Sequence, residues 1–166
     1  MFISCEITLD IGFPAAAAGL AKRTVGGIVT AVSQGANSEG SAELARAGPV
    51  RCLPGALRLA GVRLGELAVQ DAWVRLPLRW EAAGSGDQSF PVLDADLTLA
   101  QAGEHRTVLR LTGTYRLPPG LAAAGFDEDV IGRCAARTAR GFLTRLACAV
   151  SHPAGQAASA TRRGHG

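Results

Sequence analysis

The chain has 166 residues, of which 48% are hydrophobic, so it is long and apolar enough for one domain with its own core. A net charge of +3 is too small for a dedicated nucleic-acid-binding protein, and the basic residues form no block before Arg162 and Arg163. The alanine run at residues 15–18 is too short to span a membrane. Neither nucleic acid nor a membrane span is therefore expected.

Four cysteines, at positions 5, 52, 134 and 148, bear on metal binding and on the cell compartment. They form no CxxC pair, and no histidine is placed to complete a zinc site, so we expect no metal. No Walker or GxGxxG motif occurs, and no cofactor is expected. Reduced, buried thiols are the simpler interpretation, and they favour a cytoplasmic protein. Glu6 and Asp10 interrupt the N-terminal segment, which argues against a signal peptide.

The first predicted elements are a strand and a helix. Apolar and polar residues alternate over residues 1–11, which is typical of a half-buried strand, and Gly12 and Pro14 end it. Residues 15–32 predict a helix that buries Leu20 and is weakened at Gly26 and Gly27. Residues 33–55 are rich in Gly, Ser, Asn and Pro, give no clear pattern and are interpreted as irregular.

Four more segments have strand character: residues 56–64, 72–81, 91–100 and 106–117. A hairpin loop over residues 101–105 is predicted to join the last two, and closing it at Ala100 and Arg106 sets Asp96 opposite Arg110. Pro77 cannot donate to a ladder of hydrogen bonds, so an edge or a bulge is expected there.

Residues 127–150 predict one long amphipathic helix, with Asp127 as its N-cap. Arg133, Arg137 and Arg140 share one face, which is most simply solvated, although a surface for an acidic partner is an alternative. The apolar stripe on another face is Ile131, Cys134, Ala135, Thr138, Phe142, Leu146 and Ala149. Strands followed by a helix indicate an α+β fold in which the helix covers the apolar face of an antiparallel sheet.

Three stretches and the order of elements resemble the START-like (SRPBCC) superfamily, which includes polyketide cyclases, Bet v 1-like plant proteins and lipid-transfer domains. The stretches are LPLRWEAAG (76–84), FPVLDADLTLA (90–100) and TVLRLTGTYRLPPG (107–120), and they are similar to small actinobacterial members of unassigned activity. The resemblance implies a helix-grip fold: a curved antiparallel sheet wrapped around the C-terminal helix, short N-terminal helix or helices, and a cavity between them. The superfamily has no universal catalytic motif, so no catalytic residue is transferred.

The residues that face inward in this arrangement define a candidate ligand site. Such a wall is apolar with few polar groups, as small-molecule pockets usually are. The alternative is that the same side chains fill a solid core. The predicted lining is Leu76, Leu78, Trp80, Leu93, Leu97, Leu109, Leu111, Tyr115, Ile131, Cys134, Thr138 and Phe142, with Ala95 among them.

The sequence is compatible with three functions. The first is a binder or carrier of a small hydrophobic molecule, and the second is an enzyme of the polyketide cyclase or aromatase kind. An enzyme needs an acid or base near its substrate, but no inward Asp, Glu or His occurs on the predicted strands, and Asp94 and Asp96 alternate outward. The third is a protein-interaction module without a ligand. Residues 1–151 are the expected domain, residues 152–166 an expected disordered tail, and the protein a monomer or homodimer.

Overall fold

The computed structural model of the protein describes residues 1–25, 59–82, 92–116 and 128–152. These residues form a curved antiparallel sheet and two helices, so the predicted α+β, helix-grip class is confirmed. The irregular segment predicted at residues 33–55 and the tail predicted after residue 152 lie outside the described residues. The elements are β1 (Phe2–Leu9), α1 (Phe13–Val25), β2 (Leu59–Leu64), β3 (Ala68–Val69), β4 (Trp73–Ala82), β5 (Val92–Gly103), β6 (Arg106–Arg116) and α2 (Glu128–Ser151).

The sheet has the strand order β1-β6-β5-β4-β2, with β3 paired to β4 as well. The hairpin of β5 and β6 is its longest pairing, and the predicted register of this hairpin is wrong by two residues. Thr98 lies opposite Arg110, and Asp96 lies opposite Thr112. The reason is that β5 continues to Gly103, which pairs with Arg106, so the connecting turn is shorter than the predicted loop.

Two ion pairs lie on the outer face of the sheet. Arg110 lies across from Glu6 of β1, and its Nη2 is 2.7 Å from a Glu6 carboxylate oxygen. Asp96 instead contacts Arg75 of β4 at 2.8 Å. Both pairs are exposed, so each stabilises the fold by only about 0.2–1 kcal/mol.

Pro77 lies inside β4, where the neighbouring strand is interrupted. Leu64, the last residue of β2, pairs with Leu78, and β3 begins with the pairing of Ala68 and Arg75. Between these two strands the Gly65 N–H donates to the Pro77 carbonyl at 2.7 Å. In an antiparallel strand the N–H and C=O of one residue point to the same side. An N–H at position 77 would therefore point into this gap between β2 and β3, and Pro77 lacks it. The irregularity expected at Pro77 is therefore in its partner strand.

The helix α2 lies with one face against the sheet. The predicted stripe is confirmed as buried at Ala135, Thr138, Phe142 and Leu146, and the Arg133, Arg137 and Arg140 side chains are exposed. Ala149 is only half-buried, and Val150 is buried in its place. The reason is that α1 packs on this end of α2: a Cβ at Gly19 would lie 3.1 Å from the Val150 carbonyl oxygen. The side chains of Ile131 and Cys134 lie outside the described part of the chain.

A close approach of β5 to β6 depends on Gly113. This residue pairs with Ala95 on one side and with Ile3 on the other. A Cβ built on Gly113 would lie 2.5 Å from the Ala95 Cβ and would also collide with the Asp94 carbonyl oxygen. Cross-strand Cβ atoms are ordinarily about 4.5–5.5 Å apart, so the strands approach too closely here for any side chain.

We predict that Gly113→Ala destabilises the protein by about 2–3 kcal/mol, because the added methyl must push two backbones apart. The melting temperature should fall by roughly 5–10 °C in a calorimetric scan. Gly132→Ala is the matched control, because its methyl would meet only the flexible end of the Met1 side chain, with the Sδ atom 3.1 Å away. Inside a helix that change stabilises by up to about 1 kcal/mol. Equal melting temperatures for the two variants would contradict the close approach at Gly113.

Candidate functional site

The inner face of the sheet presents four rows of side chains to α2. The rows follow from the pairings of β4 with β5, β5 with β6 and β6 with β1. Because every second residue of a strand points to the same face, each row contains one inward residue per strand. The rows are Val74, Leu99, Leu109 and Ile7; Leu76, Leu97, Leu111 and Cys5; Leu78, Ala95, Gly113 and Ile3; and Trp80, Leu93 and Tyr115.

The structure brings ten of the twelve predicted lining residues together at the interface between this face and α2, and all ten are buried. Eight are on the sheet and two on α2: Leu76, Leu78, Trp80, Leu93, Leu97, Leu109, Leu111 and Tyr115, then Thr138 and Phe142. The other two, Ile131 and Cys134, have side chains outside the described residues. The inward orientation of the ten is thus observed, whereas their role in ligand binding stays a prediction.

Contact between Trp80 and Phe142 joins the sheet to the helix. Their ring centroids are 5.1 Å apart and the rings are tilted by 58°, a favourable aromatic geometry. Both side chains are 0% exposed, as are Leu76, Leu97 and Leu109, so no space large enough for water adjoins them. A ligand that lies on this surface therefore has to displace side-chain contacts.

The buried hydroxyl of Thr138 has no hydrogen-bond partner among the residues that the structure describes. Its residue exposure is 8%, and nothing in the described structure donates to or accepts from it. Thr24 and Thr144, which are also helical, each donate at 2.9 Å to the carbonyl four residues earlier. The buried Thr107 hydroxyl donates to the Ile11 carbonyl at 2.8 Å. Since buried hydroxyls normally find a partner, Thr138 is the exception on this surface.

Ionisable groups are scarce on the inner face. Its described members include no Asp, Glu, His, Lys or Arg, and the described residues contain no cluster of ligands able to hold a metal ion. The Cys5 thiol is half-buried at the margin. Burial raises its pKa, and the charge of Arg140 offsets part of that increase.

The outer face of the sheet forms a trough that sequence reasoning missed. Its volume is about 740 Å³. The charges on its walls are paired with each other: Arg79 contacts Glu81 and Asp94, and Asp94 also contacts Arg116. Alternation predicted that Asp94 and Asp96 point outward, but the shape of the outer surface depends on the twist of the strands. The lining is Phe2, Arg63, Leu64, Gly65, Pro77, Leu78, Arg79, Asp94, Ala95, Asp96, Thr112, Gly113 and Thr114.

A second depression, of about 450 Å³, lies between the end of β1 and the end of α2. Its walls include Ile7 and Leu9 from the strand, and Cys148 and His152 from the helix end. The ring Nδ1 of His152 is 3.2 Å from the Cys148 carbonyl oxygen, so this contact caps the last turn of α2.

No family model and no curated protein matches the sequence. Solved structures with a similar course of the chain include a hypothetical protein from Helicobacter pylori, with 11% identity, a TM-score of 0.43 and 87% of each chain covered. A protein from Thermus thermophilus has 15% identity and a TM-score of 0.32, over 90% of this chain and 99% of that one. An aromatase/cyclase from a Streptomyces species has 13% identity and a TM-score of 0.31, over 93% and 98%. At these identities and scores the similarity assigns no activity to this chain.

Neither helix in the described ranges combines the length and the hydropathy that crossing a bilayer requires.

We predict that Cys148 reacts faster than Cys5 with iodoacetamide at pH 8. Cys148 is exposed, whereas Cys5 is half-buried with a raised pKa, so a smaller fraction of Cys5 is thiolate at this pH. Peptide mapping by mass spectrometry after timed labelling measures both rates. In urea the two rates should become similar. Equal rates in the folded protein would contradict the burial of Cys5.

Proposed function

We propose that the protein binds or carries a small apolar molecule between the inner face of the sheet and α2. The observation that carries the proposal is the chemistry of that surface. Its ten described lining residues are hydrocarbon or aromatic apart from the Thr138 and Tyr115 hydroxyls and the Trp80 indole N–H. A wide apolar wall with a few polar atoms is the usual composition of a small-molecule site.

Binding is favoured over turnover by the same surface. A cyclase or aromatase moves protons and needs an acid or base within hydrogen-bonding reach of its substrate. The described inner face offers hydroxyls and one half-buried thiol, Cys5, whose raised pKa keeps it protonated. The polyketide cyclase-like activity is therefore the second candidate.

An interaction module on the outer face of the sheet is the third candidate. There the charged side chains already have partners, as in the pairs Arg75 with Asp96 and Arg110 with Glu6. A protein partner would have to compete with these contacts, which lowers the net gain from binding.

We further propose that the protein is a START-like member that acts in the cytoplasm as a monomer or homodimer. Residues 1–151 are its domain in this proposal, and the absence of a membrane-crossing helix among the described residues is compatible with it. The confirmed α+β architecture supports the assignment but does not identify the ligand.

We predict that aminoanthracene gains fluorescence on binding wild-type protein, and that Leu111→Trp weakens this binding at least about tenfold. Leu111 is 1% exposed at the centre of the inner face, so an indole there occupies the proposed site. Thr112→Trp is the matched control, because Thr112 points to the outer trough. Circular dichroism confirms that each variant is folded.

The two variants separate the candidates. Binding that is lost in Thr112→Trp and kept in Leu111→Trp would contradict the inner site and place the dye in the outer trough. No binding by the wild type, together with no co-purified small molecule in native mass spectrometry, would favour the interaction module.

A further inference from the structure

We infer that the ligand is a neutral, largely apolar molecule with one carbonyl or hydroxyl oxygen, and that the Thr138 hydroxyl binds this oxygen. The inference rests on the proposed function of the same site. It adds the chemical class of the ligand and the residue that selects it.

Thr138 lacks a hydrogen-bond partner within the described part of the chain. The residue is more than nine-tenths buried, yet no described group completes a hydrogen bond to its hydroxyl. A helical threonine can satisfy its hydroxyl on the carbonyl four residues earlier, as Thr24 and Thr144 do. Leaving such a group dry and unpaired destabilises the free protein. A ligand oxygen that replaces the missing partner removes this cost, and that gain appears as affinity.

Thr138 lies on the buried face of α2, close to the aromatic contact with the sheet. Phe142 follows it by one turn on the same face, and the Phe142 ring contacts Trp80 of the sheet. Ala135 and Ala139, the other neighbours on the buried stripe, have only methyl side chains. A ligand inserted beside the two rings would therefore contact the Thr138 hydroxyl. Among these described residues of α2, that hydroxyl is the polar group.

The described inner face has no charged side chains, which favours a neutral ligand. The Arg133 and Arg137 side chains lie on the exposed face of α2. Arg140 is exposed as well and acts on the Cys5 thiol at the margin. A carboxylate buried beside Thr138 would lose its hydration without gaining a cation, which is strongly unfavourable.

The described inner face offers few polar groups to a ligand. Trp80 and Tyr115 are polar members of this face, and each takes part in an interaction within the protein. A second polar atom on the ligand would have to compete with one of these interactions. A single oxygen therefore fits the surface best.

The test uses three naphthalene probes substituted at the same ring position: acetylnaphthalene, isopropenylnaphthalene and naphthoate. The first two differ mainly in that a carbonyl oxygen replaces a methylene group, and the third carries a negative charge. Fluorescence titration of wild-type protein should show the ketone binding roughly fivefold tighter than the alkene, which is the factor expected for one buried hydrogen bond. The naphthoate should bind most weakly.

Two variants at Thr138 complete the test. Thr138→Val keeps the shape and removes the hydroxyl, so the ketone and the alkene should bind equally well. Thr138→Ser keeps the hydroxyl, so the preference for the ketone should remain. In the absence of probe, Thr138→Val should melt at the same temperature as wild type or higher, because it removes an unsatisfied buried group.

The outcomes distinguish this inference from the proposed function. If the wild type binds ketone and alkene equally, or if Thr138→Val keeps the preference, Thr138 does not hold the ligand although the apolar site stands. Tightest binding of naphthoate would overturn the neutral class. A lower melting temperature for Thr138→Val would show that the hydroxyl is already satisfied in the free protein. If no probe binds, the inference and the proposed function fail together.

Discussion

The contact between α2 and the inner face of the sheet is the interaction on which the rest of the structure depends. Trp80 and Phe142 are in aromatic contact across it, and the leucines of the inner face are buried. Burying such side chains contributes about 1.5–3 kcal/mol each, which makes this layer the main source of stability. Two glycines allow close approaches in the structure: Gly113 where β6 meets β5 and Gly19 where α1 meets α2.

Much of the fold could be predicted because strand alternation and helical period report directly on which face is buried. Alternation predicted eight inward residues on the sheet, and helical period predicted the buried Thr138 and Phe142 on α2. The register of β5 and β6 was not predictable in the same way, since it depends on where the turn begins, and β5 continues to Gly103. The buried end of α2 runs through Val150 because α1 packs there, and a single helix cannot reveal its neighbour.

The inward orientation of the described candidate residues could be predicted, but the way they pack could not. Side-chain periodicity identifies the inward residues, whereas the tightness of packing depends on sheet curvature and on ring geometry, as for Trp80 and Phe142. Whether a hydroxyl such as that of Thr138 has a partner is also a matter of atomic positions. The outer trough is a property of strand twist, and a pattern of alternating residues contains no signal for it.

The two faces of the sheet thus differ in what they can bind: the outer one carries paired charges, and the inner one is apolar and uncharged in its described part. The most direct test of an inner ligand site is methyl NMR of leucine-labelled protein titrated with acetylnaphthalene. The account predicts that the methyl signals of Leu76, Leu97 and Leu111 shift with the ligand, together with the ring signals of Phe142. Shifts confined to Thr112 and Thr114 in amide spectra would contradict it, because those residues line the outer trough.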